Sequence, residues 1–410
     1  GKKGASKFTA RAKYGVQQLI NDRNIHPLTG SELIDYRRTA AINAGFNPDD
    51  PSSQYYFTEK LLSNGTTDWY KELTRQGSVQ EYEVNASGGT EKASYYSSIA
   101  YHKNTGVFYG VDYSRFTARV NADMQLTRTL KSGVRVNFSY GDSNSGQMGD
   151  LYYSNPTVAM WTINPWTPFR NDDGSYNTSI PESSNTNPRA VAEYDTYNDK
   201  EYRAQANLYL EWKPIPQLTL KTTDGFEADI LDSKQYWDPR SNKGASTLFK
   251  IWSKDLRYTT SNTITYADKY AGAHDLRITV GQEAMLDTYD YLYGYSPDVD
   301  PMMPYPNTST AEKDEVQYGI SDESMLSFFG IADYNYMNRY FFQASVRADG
   351  SSVFGQESRW GVFWSVGGSW NISSESWMKS SSDWLDILKI RASYGVNGNN
   401  NIVPYKAYGV

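Results

Sequence analysis

Between Phe116 and Thr127 the chain alternates without a break. Phe116, Ala118, Val120, Ala122, Met124 and Leu126 take the even positions, and Thr117, Arg119, Asn121, Asp123, Gln125 and Thr127 the odd ones. A β-strand sends successive side chains to opposite faces, so this run has one apolar face and one polar, charged face. It is about twice the length of an average soluble strand and long enough, when tilted, to cross a bilayer. Tyr202, Ala204, Ala206, Leu208, Leu210 and Trp212 oppose Arg203, Gln205, Asn207, Tyr209, Glu211 and Lys213 in the same way, and Leu388, Ile390, Ala392 and Tyr394 oppose Lys389, Arg391 and Ser393.

About thirteen such runs recur: Lys7–Val16, Val79–Ser87, Ala93–His102, Arg115–Leu126, Leu130–Gly141, Tyr202–Lys213, Leu218–Leu231, Leu256–Ala267, Leu276–Tyr289, Met325–Tyr336, Phe341–Ala348, Trp360–Ile372 and Leu388–Val396. Short connections such as Gly88–Lys92, Thr127–Thr129, Pro214–Gln217, Asp268–Asp275 and Met337–Tyr340 alternate with long ones at Gln17–Ser78, Asp142–Glu201, Asp232–Lys254 and Asp290–Glu323. Short periplasmic turns alternating with long extracellular loops are the habit of outer-membrane barrels. Lys103–Ser114 and Asp349–Arg359 are of middling length, and Ser373–Ile387 is a long inner connection in which Glu375–Trp384 reads as a short helix. Thr29-Gly30-Ser31-Glu32 forms a capping box ahead of Leu33, Tyr36 and Ala40 at helical spacing, and Asp68–Leu73 is a second helix candidate.

The expectation is an all-β protein, an antiparallel transmembrane β-barrel with long extracellular loops containing short helices. A soluble all-β protein also has two-faced strands. Strand length, loop parity and the ionised residues of the polar face (Arg119, Asp123, Arg135, Arg203, Glu211, Lys221, Glu227, Arg257, Arg277, Arg347, Arg391) favour a watered lumen on that side. The 410 residues include 35 Tyr, 11 Trp, 15 Phe and no Cys, and aromatic girdles mark both membrane interfaces of such barrels. The mean hydropathy of -0.68 does not argue against a membrane, because half of each spanning strand faces a polar interior. Lack of cysteine excludes a disulfide framework. A net charge of -7, with no basic block, argues against nucleic-acid binding.

Catalytic chemistry has little to start from. The histidines are His26, His102 and His274, with no HExxH, CxxC or GxSxG; His102, at a strand end, is the one position where an acid–His pair could sit at a barrel rim. Asn171-Asp172-Asp173-Gly174-Ser175-Tyr176 resembles part of a calcium loop but lacks EF-hand spacing and the closing Glu, so a tight turn is expected. No enzyme activity, cofactor or metal is expected. Ligand contact is expected from aromatic residues on proline-stiffened loops, which can stack on sugars or apolar peptide side chains or else pack the loop: Tyr152, Tyr153, Trp161, Trp166 and Phe169, then Trp237. Tyr291, Tyr293, Tyr295 and Tyr305 pose the same choice. Trp69, Trp360, Trp364, Trp370 and Trp377 read as packing or interface residues.

Two groups of motifs go further. Val84-Asn85-Ala86-Ser87-Gly88-Gly89-Thr90-Glu91-Lys92, Tyr95-Tyr96 and Tyr113-Ser114-Arg115-Phe116-Thr117-Ala118-Arg119-Val120-Asn121 form the first. Ser345-Val346-Arg347-Ala348-Asp349-Gly350-Ser351-Ser352-Val353-Phe354-Gly355, Arg359-Trp360-Gly361, Trp384-Leu385, Lys389-Ile390-Arg391-Ala392-Ser393-Tyr394-Gly395 and Gly398-Asn399 form the second. In this order they resemble the barrel of SusC/RagA-type TonB-dependent transporters of Bacteroidota, and Gly1-Lys2-Lys3-Gly4 is similar to the seam after that family's plug. The resemblance implies a barrel of roughly 22 strands, of which about thirteen are here, so the sequence is expected to be a fragment of the barrel domain, residues 1–410, lacking plug, TonB box and C-terminal strands. It also implies a multi-pass protein of the outer membrane, set in its lipid. Such a protein imports glycan or peptide oligomers with energy from the TonB complex and a SusD-like surface lipoprotein as partner. A soluble or surface-attached aromatic-rich module that holds glycan without transport is the alternative. Ser87-Gly88-Gly89-Thr90 is expected to be a tight turn with glycine at positive φ, and Asp349-Gly350-Ser351-Ser352 a polar outer turn.

Overall fold

The computed structural model describes residues 4–20, 27–57, 61, 63, 65–146, 155–183, 186–310, 314–381 and 383–400. Thirteen strands form one sheet, each hydrogen-bonded to its sequence neighbours in strict meander order. They are β1 Gly4–Gln17, β2 Gly77–Gly89, β3 Ala93–Thr105, β4 Asp112–Gln125, β5 Leu130–Asn144, β6 Thr196–Ile215 and β7 Leu218–Trp237. β8 Thr247–Tyr270, β9 His274–Pro297, β10 Glu315–Tyr336, β11 Tyr340–Ser351, β12 Trp360–Asn371 and β13 Lys389–Val396 follow. All pairs are antiparallel, as a chain of hairpins requires. Among the described residues no helix is long and apolar enough to cross a membrane, which says nothing about crossing by strands.

Every expected run is a strand, but the outer ends lie further out. β8 begins at Thr247 rather than Leu256, β9 runs to Pro297 rather than Tyr289, and β10 begins at Glu315 rather than Met325. The pairs Phe249↔Tyr295 and Tyr295↔Glu315 continue the ladders without slippage. In these outer segments Lys250, Lys254, Asp290 and Asp322 stand on the face that is apolar further in, so the alternation that marks a strand in the sequence fades while the pairing persists.

The register carries the face assignment across the sheet. Phe116 pairs with Tyr140, Tyr140 with Tyr202 and Tyr202 with Ile230, while Arg119 pairs with Asn137 and Arg135 with Asn121. The ionised residues named above therefore share one face, where they pair. Arg135 Nη2 donates to both Asp123 oxygens at 2.9 Å, Arg347 Nη1 reaches Glu283 at 2.7 Å, and Arg203 Nε reaches Asp229 at 2.8 Å. The opposite face exposes Val120 (49%), Leu208 (54%), Val280 (49%) and Val346 (52%), the apolar surface of a spanning barrel.

Glycine on the inner face makes room for rings. Tyr209 donates to Asp123 Oδ1 at 2.6 Å, with Lys131 and Lys221 near its ring at 5.6 and 5.3 Å. Its ring covers Gly133, where a Cβ would overlap it and stand 2.7 Å from Asp123 Oδ1. Gly133→Ala should therefore lower barrel stability by about 1–3 kcal/mol by overpacking. Gly330→Ala, where the nearest atom is 3.8 Å away, should cost clearly less in the same denaturant titration; equal costs would remove the overpacking account.

Two turn expectations are corrected. Gly88 and Gly89 lie inside β2, and neither is among the positive-φ residues. Gly88 is small because a Cβ would stand 3.1 Å from the Tyr95 ring, and the turn falls at 90–92. Likewise Gly350 and Ser351 end β11, with Gly350 under the Trp360 indole. Met337 and Asn338 (φ 54° and 55°) make the β10–β11 hairpin turn. In the inner connection after β12, the short helix expected within Glu375–Trp384 is the 3₁₀ helix Ser376–Ser381, preceded by a 3₁₀ turn at Ile372–Ser374. Tyr340, Trp370 and Arg339 donate to the Glu375 carboxylate there (2.7, 3.0 and 3.2 Å).

Candidate functional site

The long connections gather on one end of the sheet and build its mouth. Helix α1 (Gly30–Asn43) begins with the expected capping box: Glu32 N–H donates to Thr29 Oγ1 at 3.3 Å and Thr29 N–H to Glu32 at 2.8 Å. Helix α2 (Trp69–Leu73) is capped by Asp68, α3 (Pro156–Thr162) by Asn155 and α4 (Pro188–Tyr194) by Asn187. In α3 and α4 proline occupies the first turn, where a missing N–H costs nothing.

Helices α2 and α3 meet in one small core of Trp69, Leu73, Ala159, Ile163 and Ile180, with Met160 and Phe169 against it, and α1 is tied to this region by Arg37, which donates to Asn164 Oδ1 at 2.9 Å. The core joins loops more than eighty residues apart in sequence, helped by Thr67 N–H donating to Pro165 O at 2.7 Å. Asn187 is fully buried and donates to Phe169 O and Asn177 O at 3.0 and 3.1 Å. The cap rests on the short-strand side: Gly110, in the β3–β4 loop, packs against Ala192 of α4. Beside it a cavity of about 370 Å³ is lined by Arg75, Tyr109, Arg189 and Asp195.

The expected ligand aromatics separate here. Phe169 is packed edge-on between Trp69 (5.7 Å) and Tyr176 (5.4 Å). Trp166, only 7% exposed, lies edge-on to Phe57 with the Arg37 guanidinium 4.9 Å from its ring. Both rings serve the cap's interior. Trp161 is 46% exposed beside Tyr70. Tyr152 and Tyr153 lie outside the described residues. Trp237 ends β7, its ring 5.2 Å from Phe249.

Trp237 belongs to a second aromatic group whose extent the sequence concealed. Tyr289, Tyr291, Tyr293 and Tyr295 occupy alternate positions of β9 on the lumen-side face, with Phe249 5.1 Å from Tyr295. Gly319 on β10, opposite Tyr291, leaves space for that ring. In the sequence Tyr289 ends an expected strand and Tyr291, Tyr293 and Tyr295 read as loop; the longer β9 turns all four into a ladder at the barrel mouth.

The α4–β6 and β7–β8 junctions meet at a charged hub. Asp238 N–H donates to Asp195 Oδ1 at 2.9 Å, as does Ser241 Oγ. Burial pushes the Asp195 carboxyl up to about 6, against the hydrogen bonds from Ser241 and Asp238 N–H and with the Asp238 charge adding to it. Burial also raises Asp238, but the bidentate bonds from Arg240 (2.8 and 2.9 Å) outweigh it and hold that carboxyl low.

The other sequence candidates resolve as structure. In 171–176, Asp173 Oδ1 accepts from Ser175 N–H and Oγ (2.9 and 2.6 Å), and Gly174 takes φ 85°, which is the tight turn expected. His102 Nδ1 lies 3.6 Å from Glu81 across the β2–β3 ladder, an acidic neighbour that sequence spacing did not reveal; Glu81 also pairs with Lys13. His274 Nδ1 is 2.7 Å from Tyr334 Oη, and His26 lies outside the described residues.

No protein-family model matches the chain. A TonB-dependent receptor of Formosa agariphila is 27% identical over 405 residues, covering 93% of this chain and 38% of the relative. TonB-dependent receptor SusC of Bacteroides thetaiotaomicron is 28% identical over 373 residues, covering 85% and 36%. Among solved structures, the RagAB peptide transporter superposes with TM-score 0.82 at 21% identity, over 98% of this chain and 48% of that one. The RagAB peptide importer in its "open-open" state gives 0.84 at 22% identity, over 99% and 48%. The chain thus spans about two fifths of the curated relatives and about half of the structural ones. The two-faced meander, its mouth of long loops and these relatives together give the chain the fold of an outer-membrane β-barrel, similar to the barrel portion of SusC-like TonB-dependent receptors.

Proposed function

We propose that this chain belongs to an active importer of large nutrients, glycan or peptide oligomers, across the outer membrane. The observation that carries the reading is the likeness of nearly the whole sheet to the RagAB peptide importer, combined with an aromatic-lined mouth. TonB would act on a plug segment of the complete receptor, outside the barrel unit formed by these 410 residues. A SusD-like surface lipoprotein would sit on the long-loop end. Ligand contact is assigned to Trp161, to Trp237 and the Tyr289–Tyr295 ladder, and to Tyr152 and Tyr153; Trp166 and Phe169 support them from within the cap.

Aromatic contacts are worth about 0.5–1.5 kcal/mol each. Trp161→Ala combined with Tyr291→Ala in the full-length receptor should therefore raise the half-saturating oligomer concentration for uptake by roughly ten- to a hundredfold, with surface abundance unchanged. Parallel uptake of labelled oligopeptide and oligosaccharide pools shows which class is lost. Unaltered half-saturation for both would remove these residues from the ligand path.

A further inference from the structure

The rim steps down between β10 and β11, and the step leaves a strand edge open. β10 begins at Glu315, but β11 joins it only from Met325 inward, where Met325 pairs with Ser351. The outer part of β10 is therefore held by β9 alone, from Glu315↔Tyr295 to Ser324↔Leu286. In an antiparallel strand successive residues send their N–H and C=O groups to opposite sides. Ser324 fixes the phase: its C=O accepts from Ser352 N–H at 2.9 Å and its N–H donates to Ser352 Oγ at 2.8 Å, both on the β11 side. Val316, Tyr318 and Ile320 keep that phase, so their main-chain groups point into the gap above β11, where they meet no partner among the described residues. Native sheets guard such an edge with proline, lysine, a bulge or a covering loop. Glu315-Val316-Gln317-Tyr318-Gly319-Ile320-Ser321 has neither proline nor lysine, and its pairing with β9 runs without a bulge. Val316, Tyr318 and Ile320 are 73%, 61% and 53% exposed.

We propose that this edge captures peptide cargo as an added strand, an inference that rests on the importer reading and narrows its cargo to peptides. A polypeptide repeats a donor and an acceptor at the spacing the edge requires; a glycan does not. Main-chain pairing also tolerates most side chains, as uptake of mixed peptides demands. The position suits the cargo path. Tyr291 of the tyrosine ladder lies over Gly319, one strand from the open side. At the foot of the gap a lumen-side cavity of about 490 Å³ is lined by Met325, Arg347, Asp349, Phe354 and Phe363, among others. Side chains of an added strand fall in line with those of β10. On one side they would meet Val316, Tyr318 and Ile320, and on the other the carboxylates of Glu315 and Glu323. Peptides that alternate apolar and basic residues therefore complement the edge in both polarity and charge.

The probe is an acetylated, amidated octapeptide of alternating valine and lysine with isotope-labelled backbone carbonyls, offered to the full-length receptor in mild detergent. Bound to wild type, its labelled carbonyls should absorb in the infrared as β-sheet, and its fully N-methylated analogue should bind at least roughly tenfold more weakly. Proline is tolerated at an edge position whose N–H faces away from the sheet. Tyr318→Pro should therefore assemble normally yet weaken the octapeptide at least roughly tenfold, by removing a donor and closing the edge beside it. Tyr318→Ala, which keeps the main chain, should cost clearly less. Equal binding of the octapeptide and its N-methylated analogue would overturn the edge and leave the importer reading standing. So would an absence of peptide binding by a receptor that takes up oligosaccharides. Cells that take up neither class through the receptor would sink the importer reading and the cargo assignment with it. If a partner protein's strand already protects the amides of Val316, Tyr318 and Ile320 from exchange in the peptide-free receptor, the choice of occupant is wrong.

Discussion

Trp69→Ala will dismantle the helical cap and leave the sheet standing. Trp69 is 3% exposed in a core of only five buried side chains, so the cavity left by its ring has few neighbours able to close it. Large-to-small changes of this kind cost about 3–5 kcal/mol, more than so small a core can lose and stay packed. Limited proteolysis of the intact receptor should then cut within 27–73 and 155–195, while the folded barrel keeps its anomalous gel mobility before boiling. Trp69→Phe should be much milder, because Trp69 Nε1 is buried without a hydrogen-bond partner among the described residues and its loss carries no hydrogen-bond cost. Loss of the barrel itself in Trp69→Ala would show that the cap is not a separate cooperative unit.

The second large effect depends on pH. Asp195 titrates near 6 when folded, against an ordinary value of 3.8. Between those values the folded state holds a proton that the unfolded state has released, so the stability of the hub falls as pH rises from about 4 to about 6 and is level above. The full difference is about 3 kcal/mol. Asp195→Asn keeps an oxygen for Ser241 and for Asp238 N–H but carries no charge. Hydrogen exchange at the α4–β6 and β7–β8 junctions should show wild type and variant alike near pH 4, with the variant better protected at pH 8. A wild-type junction whose protection does not change across this range would refute the assignment.

The membrane-spanning sheet was legible because lipid on one side and charge on the other impose strict alternation, seen at Phe116–Thr127 and Tyr202–Lys213. Above the bilayer that contrast ends, and Thr247–Ser253 and Tyr291–Pro297 read as loop although their ladders continue. Helix starts were legible where caps are local, as at Thr29–Glu32 and Asp68. The cap's interior was not, since nothing near Trp166 or Phe169 in sequence announces Phe57, Trp69 or Tyr176. The His102–Glu81 contact and the Asp195–Asp238–Ser241 hub were hidden for the same reason: each joins residues from separate segments.

The unequal strands have a mechanical consequence. β1 to β5 have 13 to 15 residues and β11 and β12 have 12, whereas β6 to β10 have 20 to 24. One side of the rim is thus a tall, stiff palisade in which every added residue is cross-linked by backbone hydrogen bonds. The other side is low and roofed, among the described residues, by four helices, two of which, α2 and α3, share one small core. Any displacement of the rim would yield first at the roof, because lifting it breaks a handful of side-chain contacts, while bending the palisade breaks ladders. The barrel carries a built-in soft quarter, and cargo too large for the resting mouth would find its give there.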